Sequence, residues 1–230
     1  MSTTFNKKAI FFDLDHTLWD FEKNSALAFE VLLPKHNITI PVADFLEHYI
    51  PANANYWKLY RDGHVTQQQL RYGRLKDVFV ALNYEITDAD LDLLSVDYIS
   101  LLPTNNHLFE GTIELLEYLK PKYSLHIITN GFHEVQALKM KSANIDHYFE
   151  TVTNSENAGF KKPHPAIYKY ALTAAKADKC DSIMIGDCIE ADVQGALDCG
   201  IDAIYFNEHR LKTKPSIVQV NHLLELKNLL

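Results

Sequence analysis

Residues Ile10-Phe11-Phe12 form an apolar run that stops abruptly at Asp13-Leu14-Asp15-His16-Thr17-Leu18. A run so dense in Ile and Phe reads as a buried strand. Side chains alternate along an extended backbone, so Asp13 and Asp15 can both face one crevice at the strand's carboxyl end. That edge is where open α/β sheets place their ligands. Two close carboxylates repel each other, so the pair suits a divalent cation or a site where one carboxyl keeps its proton. On these residues alone, a strand ending in a turn, with Asp13 or Thr17 capping the next helix, fits equally well.

Three further segments carry polar residues of the same kind. Leu125-His126-Ile127-Ile128-Thr129-Asn130-Gly131 is an apolar strand closed by a hydroxyl, an amide and a glycine. Thr129 can donate to a phosphate oxygen and the Asn130-Gly131 N–H groups can form an anion nest, although helix capping alone would explain the threonine. In Gly159-Phe160-Lys161-Lys162-Pro163-His164-Pro165, the proline pushes the residue before it towards an extended backbone, while Lys161 reads as solvated charge. Ser182-Ile183-Met184-Ile185 runs into Gly186-Asp187, with Asp192 one turn into the next helix. Asp187 at such a strand end can ligate a metal or cap that helix.

From Lys120 onward strands alternate with helices: strand 125–129, helix 133–143, strand near 149–153, helix 165–177, strand 182–186, helix 190–199 and strand 201–206. Such alternation implies a parallel sheet covered on both faces. The strand at Ile10 must join that sheet across an insertion that reads as helical from Phe21 to about His107. Leu75, Val78, Phe79 and Leu82 recur with helical spacing, and Leu91, Leu94, Tyr98 and Leu101 nearly repeat the stripe. Thr87-Asp88 is a helix start, and Ile113, Leu116 and Leu119 mark the helix after the insertion. The expected architecture is α/β: a doubly wound parallel sheet formed by residues 1–18 and 108–230, with a helical cap at 19–107.

Composition narrows the function. The 230 residues are 47% hydrophobic, enough for a full core, and no apolar run approaches the ~20 residues of a membrane span. The net charge of −8 speaks against a nucleic-acid partner, and an anionic substrate must be drawn by local positive charge. Cys180, Cys188 and Cys199 are an odd number without metal-ligand spacing, which fits free thiols in a reducing cytoplasm. The eleven histidines show no zinc spacing; His16 can touch substrate or point sideways from its loop, and His133 and His164 read as helix-start or loop residues.

Taken together, Asp13-Leu14-Asp15-His16-Thr17, Ile127-Ile128-Thr129, Lys162-Pro163 and Gly186-Asp187 to Asp192 resemble the haloacid dehalogenase-like superfamily of aspartate-nucleophile phosphohydrolases. The first and last motifs are the specific ones. The resemblance implies that Asp13 attacks phosphorus and that Asp15 is the general acid and base, which requires it to carry a proton at neutral pH. It implies Mg²⁺ held by Asp13, the main-chain carbonyl of Asp15 and Asp187, with Asp192 orienting metal-bound water from outside the ligand set. Thr129, the Asn130 N–H and Lys162 would stabilise charge on the transferring phosphoryl group.

Within the insertion, Asn53-Ala54-Asn55-Tyr56-Trp57-Lys58-Leu59-Tyr60-Arg61-Asp62-Gly63 is rich in aromatics and amides. Such a cluster is either helix-packing core or a site where a base stacks and its edge is hydrogen-bonded. Trp57, Tyr60, Gly63, Thr66, Leu70 and Arg74, with Ile128-Thr129-Asn130-Gly131-Phe132 and Gln136, resemble the branch of pyrimidine 5′-nucleotidases that act on noncanonical nucleotides. The chain departs from that branch at Phe109-Glu110-Gly111, where the linker usually carries Pro-Gly. The resemblance implies a pyrimidine-preferring nucleoside 5′-monophosphatase, with Asn53, Asn55, Tyr56, Trp57 and Tyr60 as cap residues facing the base. A sugar-phosphate phosphatase or a phosphoglucomutase-like transferase shares the motifs and differs in the cap. A haloacid dehalogenase shares Asp13 but needs neither an acid at Asp15 nor a metal. A phospho-accepting signalling switch, which is not an enzyme, uses Asp, Thr and Lys on a similar sheet but has no use for the large insertion.

Overall fold

The strand β1 (Ala9–Phe12) is buried along its whole length, as a continuous apolar run must be when both faces of a sheet are covered. The structure, a computed structural model, describes residues 5–230. After β1 come four long helices, α1 (Phe21–Lys35), α2 (Val42–Arg61), α3 (Gln67–Ala81) and α4 (Asp88–Leu101). There follow α5 (Thr112–Leu119), β2 (Ser124–Thr129), α6 (His133–Ser142), β3 (Thr151–Asn154), α7 (Ser155–Ala158), α8 (Pro165–Ala175) and β4 (Ser182–Gly186). A single π-helical turn, Ile189–Gln194, leads into α9 (Gly195–Asp198), then β5 (Asp202–Phe206) and β6 (Gln219–Val220). The chain divides into two compact units, one comprising the chain to Asp20 with Asn106–Leu230, the other Phe21–Asn105.

The first unit is built on a six-stranded, all-parallel sheet in the order β3-β2-β1-β4-β5-β6, flanked by helices. Connections run outward in both directions from β1, so the strand order reverses between β1 and β4, where doubly wound sheets open a crevice. Phe12 is in register with Ile127 of β2 and Ile185 of β4. Asp13, Thr129 and Asp187 therefore emerge side by side at the carboxyl edge. Gly111 starts α5 with φ +83°, a conformation that favours glycine.

The strands lie where the apolar runs place them. The expected helix over 190–199 is instead the π turn followed by the short α9. Neither α7 nor β6 is foreshadowed, because four and two residues are too few to show a period.

The second unit is all helical. Leu75, Val78 and Phe79 of α3 and Leu91, Leu94 and Tyr98 of α4 are buried, while Leu82 and Leu101 are half-buried at the ends of their stripes. Thr66 and Gln69 form a reciprocal capping box at α3, and Thr87 caps α4. The core of the unit is aromatic: Phe29 lies 4.6 Å from Phe45, 4.6 Å from Tyr49 and 4.7 Å from Tyr98, ring centre to ring centre. No helix among the described residues is long and apolar enough to cross a membrane.

Candidate active site

Asp13 follows β1 directly, and its N–H donates to the Ile185 carbonyl at 2.9 Å, which continues the strand's path for one more residue. Asp187 follows β4 in the same way, one strand across. Asp192 is brought back to them by the π turn, an irregularity often found where a helix serves a site. Tyr168 of α8 anchors this turn by donating its hydroxyl to the Ala191 carbonyl. Asp192 comes so close to the end of β4 that a Cβ on Gly186 would meet its carboxylate oxygen at 2.3 Å. The glycine before Asp187 is therefore required by this contact.

Lys162 joins the carboxylates. Its ammonium donates to Asp13 Oδ1 at 2.7 Å, to Asp192 Oδ1 at 2.6 Å and to the Ile128 carbonyl at 2.7 Å, so each of its N–H groups has an acceptor. Asp192 Oδ2 accepts from the Cys188 N–H at 2.9 Å, and Thr17 Oγ1 donates to Asp187 Oδ1 at 3.3 Å. One oxygen from each of Asp13, Asp187 and Asp192 lies within 4.8 Å of the others. Two buried carboxylates, Asp13 and Asp192, and the half-buried Asp187 thus face one ammonium. Burial pushes Asp187 up to about 7, helped by the charge of Asp192 and opposed by Lys162. Asp13 is raised well above the carboxylate range, by burial first and then by Asp192 and Asp187, with Lys162 opposing. Burial alone would lower Lys162, but Asp13 and Asp192 outweigh it and leave it raised. An excess of hard oxygen anions in so small a space suits a divalent cation.

Thr129 closes the other side of the crevice. Its Oγ1 accepts from the Gly131 N–H at 3.0 Å and from Gln136 Nε2 at 2.9 Å. A hydroxyl has two lone pairs and one proton, so both acceptor positions are used and the group is left to act as a donor. The same Gln136 amide donates to Asp15 Oδ2 at 2.7 Å, and Lys139 donates to Asp15 Oδ1 at 2.5 Å. Gln136 Oε1 is buried without a hydrogen-bond partner, a cost of about 1–3 kcal/mol that is offset by the two bonds its Nε2 donates to Asp15 and Thr129.

Asn130 acts as a bracket. Its side chain accepts from the Lys162 N–H at 2.7 Å and donates to the Lys162 carbonyl at 3.0 Å, tying the loop after β2 to the lysine's backbone. His16 has a left-handed backbone, φ +61°, in the turn after Asp15. His133 is the first residue of α6, and His164 caps α8 by accepting from the Ala166 N–H at 3.1 Å. The three cysteines are free thiols.

The model of the haloacid dehalogenase-like hydrolases matches residues 7–200. The chain belongs to the haloacid dehalogenase-like hydrolases. Among relatives of this hydrolase is pyrimidine 5′-nucleotidase YjjG of Escherichia coli (strain K12), 29% identical and covering 96% of each chain. Pyrimidine 5′-nucleotidase PynA of Streptococcus pneumoniae is 30% identical over 89% of this chain and 86% of its own. The crystal structure of HAD-hydrolase YfnB from Bacillus subtilis bound to magnesium matches with a TM-score of 0.88 at 26% identity, covering 96% of this chain and 97% of that one.

In the helical unit of this haloacid dehalogenase-like hydrolase, the sequence candidates do not form one group. Asn53 is buried, and its carbonyl oxygen accepts from Arg74 Nη1 at 2.8 Å. The Arg74 guanidinium sits 5.0 Å from the Tyr98 ring centre, inside the aromatic core. Tyr56 packs on α3, where a Cβ on Gly73 would lie 2.4 Å from its ring. Trp57 and Tyr60 pack edge to face at 5.8 Å and remain half-exposed, while Asn55 is exposed. The sequence assigns no role to Lys139 and gives Gln136 only as part of a resemblance. A Gln-x-x-Lys spacing puts both side chains on one helical face, but nothing local says what that face meets.

Proposed function

We propose that this hydrolase is a Mg²⁺-dependent phosphomonoesterase, and that its substrates are nucleoside 5′-monophosphates with pyrimidine bases preferred. The observation that carries the reading is the cluster of the buried Asp13 and Asp192, both bonded to Lys162, with the half-buried Asp187, beside a threonine hydroxyl left only as a donor. That is a place for a cation and a phosphoryl group together. Asp13, Asp187 and the Asp15 main-chain carbonyl would hold the ion, with Asp192 supporting it. When bound, Mg²⁺ supplies positive charge to the phosphoryl oxygens. The magnesium-bound YfnB structure supports the choice of ion.

Asp13 attacks phosphorus and forms an aspartyl-phosphate as the ester oxygen leaves, dividing one high barrier into two lower ones. Asp15 gives its proton to the departing alkoxide and then takes one from the water that cleaves the acyl phosphate. Thr129 donates its hydroxyl proton and Asn130 its N–H to oxygens whose charge grows in the transition state, and Lys162, its three N–H groups already taken, stabilises that charge by its own positive charge. Lys162 also bridges the Asp13 and Asp192 carboxylates and offsets their mutual repulsion. The helical unit carries leaving-group selectivity, with Trp57 and Tyr60 as its candidate contacts to a base. The nucleotide reading draws on the two pyrimidine 5′-nucleotidases that align with most of the chain.

A panel of phosphorylated metabolites, scored by kcat/KM with Mg²⁺, tests this. Pyrimidine nucleoside 5′-monophosphates should lead, and mass spectrometry of trapped enzyme should find phosphate on Asp13. A panel led by hexose phosphates discards the nucleotidase reading and leaves the phosphatase chemistry standing. Turnover by Asp13→Asn, or phosphate on another residue, removes the proposed nucleophile.

A further inference from the structure

We propose that Gln136 and Lys139 of α6 are positioning residues that set the direction of the Asp15 carboxyl during proton transfer. The proposal rests on the reading of Asp15 as general acid and base given above. Gln136 and Lys139 are 1% and 2% exposed, and a lysine is almost never so buried without a partner that needs it. They stand three residues apart on one helical face. Lys139 takes Asp15 Oδ1 at 2.5 Å and Gln136 takes Oδ2 at 2.7 Å. A donor on each oxygen stops the carboxyl from rotating, which a single donor could not do. Each oxygen keeps a further lone pair, where the transferred proton can sit.

Two more contacts make the grip specific. The second N–H of the Gln136 amide reaches Thr129 Oγ1 at 2.9 Å, so one side chain fixes the spacing between the acid and the phosphoryl-binding hydroxyl. That path exists only because residue 131 is glycine, since a Cβ there would lie 1.8 Å from Gln136 Nε2. The Lys139 ammonium also sits 4.3 Å from the centre of the Trp19 ring, and Trp19 forms an isolated β-bridge with Asp15. The aromatic face holds the cation in place by its quadrupole. Asp15 is thus fixed both to α6 and, through Trp19, to its own loop. Proton transfer is sensitive to such placement, a shift of about 1 Å costing on the order of a hundredfold.

The test uses leaving groups. A nucleoside departs as an alkoxide and needs a proton, whereas p-nitrophenolate leaves without one. Because kcat/KM ends at the first irreversible step, loss of the leaving group, the later hydrolysis of the acyl phosphate does not enter. Lys139→Met and Gln136→Leu should each lower kcat/KM for a nucleoside 5′-monophosphate by about tenfold or more. The loss on p-nitrophenyl phosphate should be several-fold smaller, and Lys139→Arg should recover much of the activity on the nucleotide. Asp15→Asn should show the same discrimination more strongly. Equal losses on both substrates, or none, in the Lys139 and Gln136 variants while Asp15→Asn discriminates would overturn the positioning role alone. An Asp15→Asn protein that does not discriminate overturns the acid role itself, and with it this proposal. If Lys139→Met does not fold, Lys139→Arg and Gln136→Leu decide between the same outcomes.

Discussion

At the scale of single residues, the site is dominated by one imbalance: three carboxylates, two of them buried, and one ammonium. Asp187 shows its consequence, since burial and the neighbouring Asp192 push it from an ordinary 3.8 up to about 7. A raised carboxyl pKa means that folding favours the protonated form. Its stabilising effect is complete below about 4 and is lost as pH rises towards 7. Metal-free protein should therefore lose stability across that window, and Asp187→Asn should melt higher than wild type at pH values above about 7 when no Mg²⁺ is present. The same proton must leave before the carboxylate can ligate, so Mg²⁺ affinity should weaken by up to about tenfold for each pH unit below 7. Calorimetric titration at two pH values and melting curves with chelator measure both. An unchanged affinity between pH 6 and pH 8 would mean that Asp187 is not raised towards 7.

Helices and strands differ in how much of their role is local. The stripes at Leu75–Phe79 and Leu91–Tyr98 bury as their spacing implies, because helix period and burial depend on nearby residues. The aromatic segment at the end of α2 is different, since its residues divide between core and surface. Asn53→Leu should strand the Arg74 guanidinium in the aromatic core and cost about 1.5–3 kcal/mol, a fall in Tm of roughly 4–10 °C, with kcat/KM little changed. Trp57→Ala should do the reverse. If its half-exposed ring stacks on a base, the change costs about 1–3 kcal/mol of transition-state binding for nucleotides and much less for a simple phosphate ester. An equal loss on both substrates, accompanied by a lower Tm, would make Trp57 a packing residue. The π turn lies outside what periodicity can show: its extra residue per turn is stabilised by Tyr168 on Ala191 and by the fit of Asp192 against Gly186.

For the whole molecule, binding of a cation should couple activity to stability. Excess chelator should abolish turnover and Mg²⁺ restore it, with Ca²⁺ a poor substitute because its looser coordination spoils the attack geometry. Mg²⁺ at about a hundredfold over its Kd should add roughly 2.7 kcal/mol to the folded state. Full activity in chelator would remove the metal site. The sequence by itself determined the α/β alternation, the helical insertion and the polar residues at strand ends, because strand and helix periods and the chemistry of Asp, Thr and Lys are written within a few neighbouring positions. Tertiary structure alone decided which of these groups meet. Lys162 reaches Asp13 across 149 residues, and Lys139 and Gln136 reach Asp15 across 124 and 121. Such pairings arise only when separate strands are brought into register in one sheet and α6 packs beside their ends, and no local spacing records them.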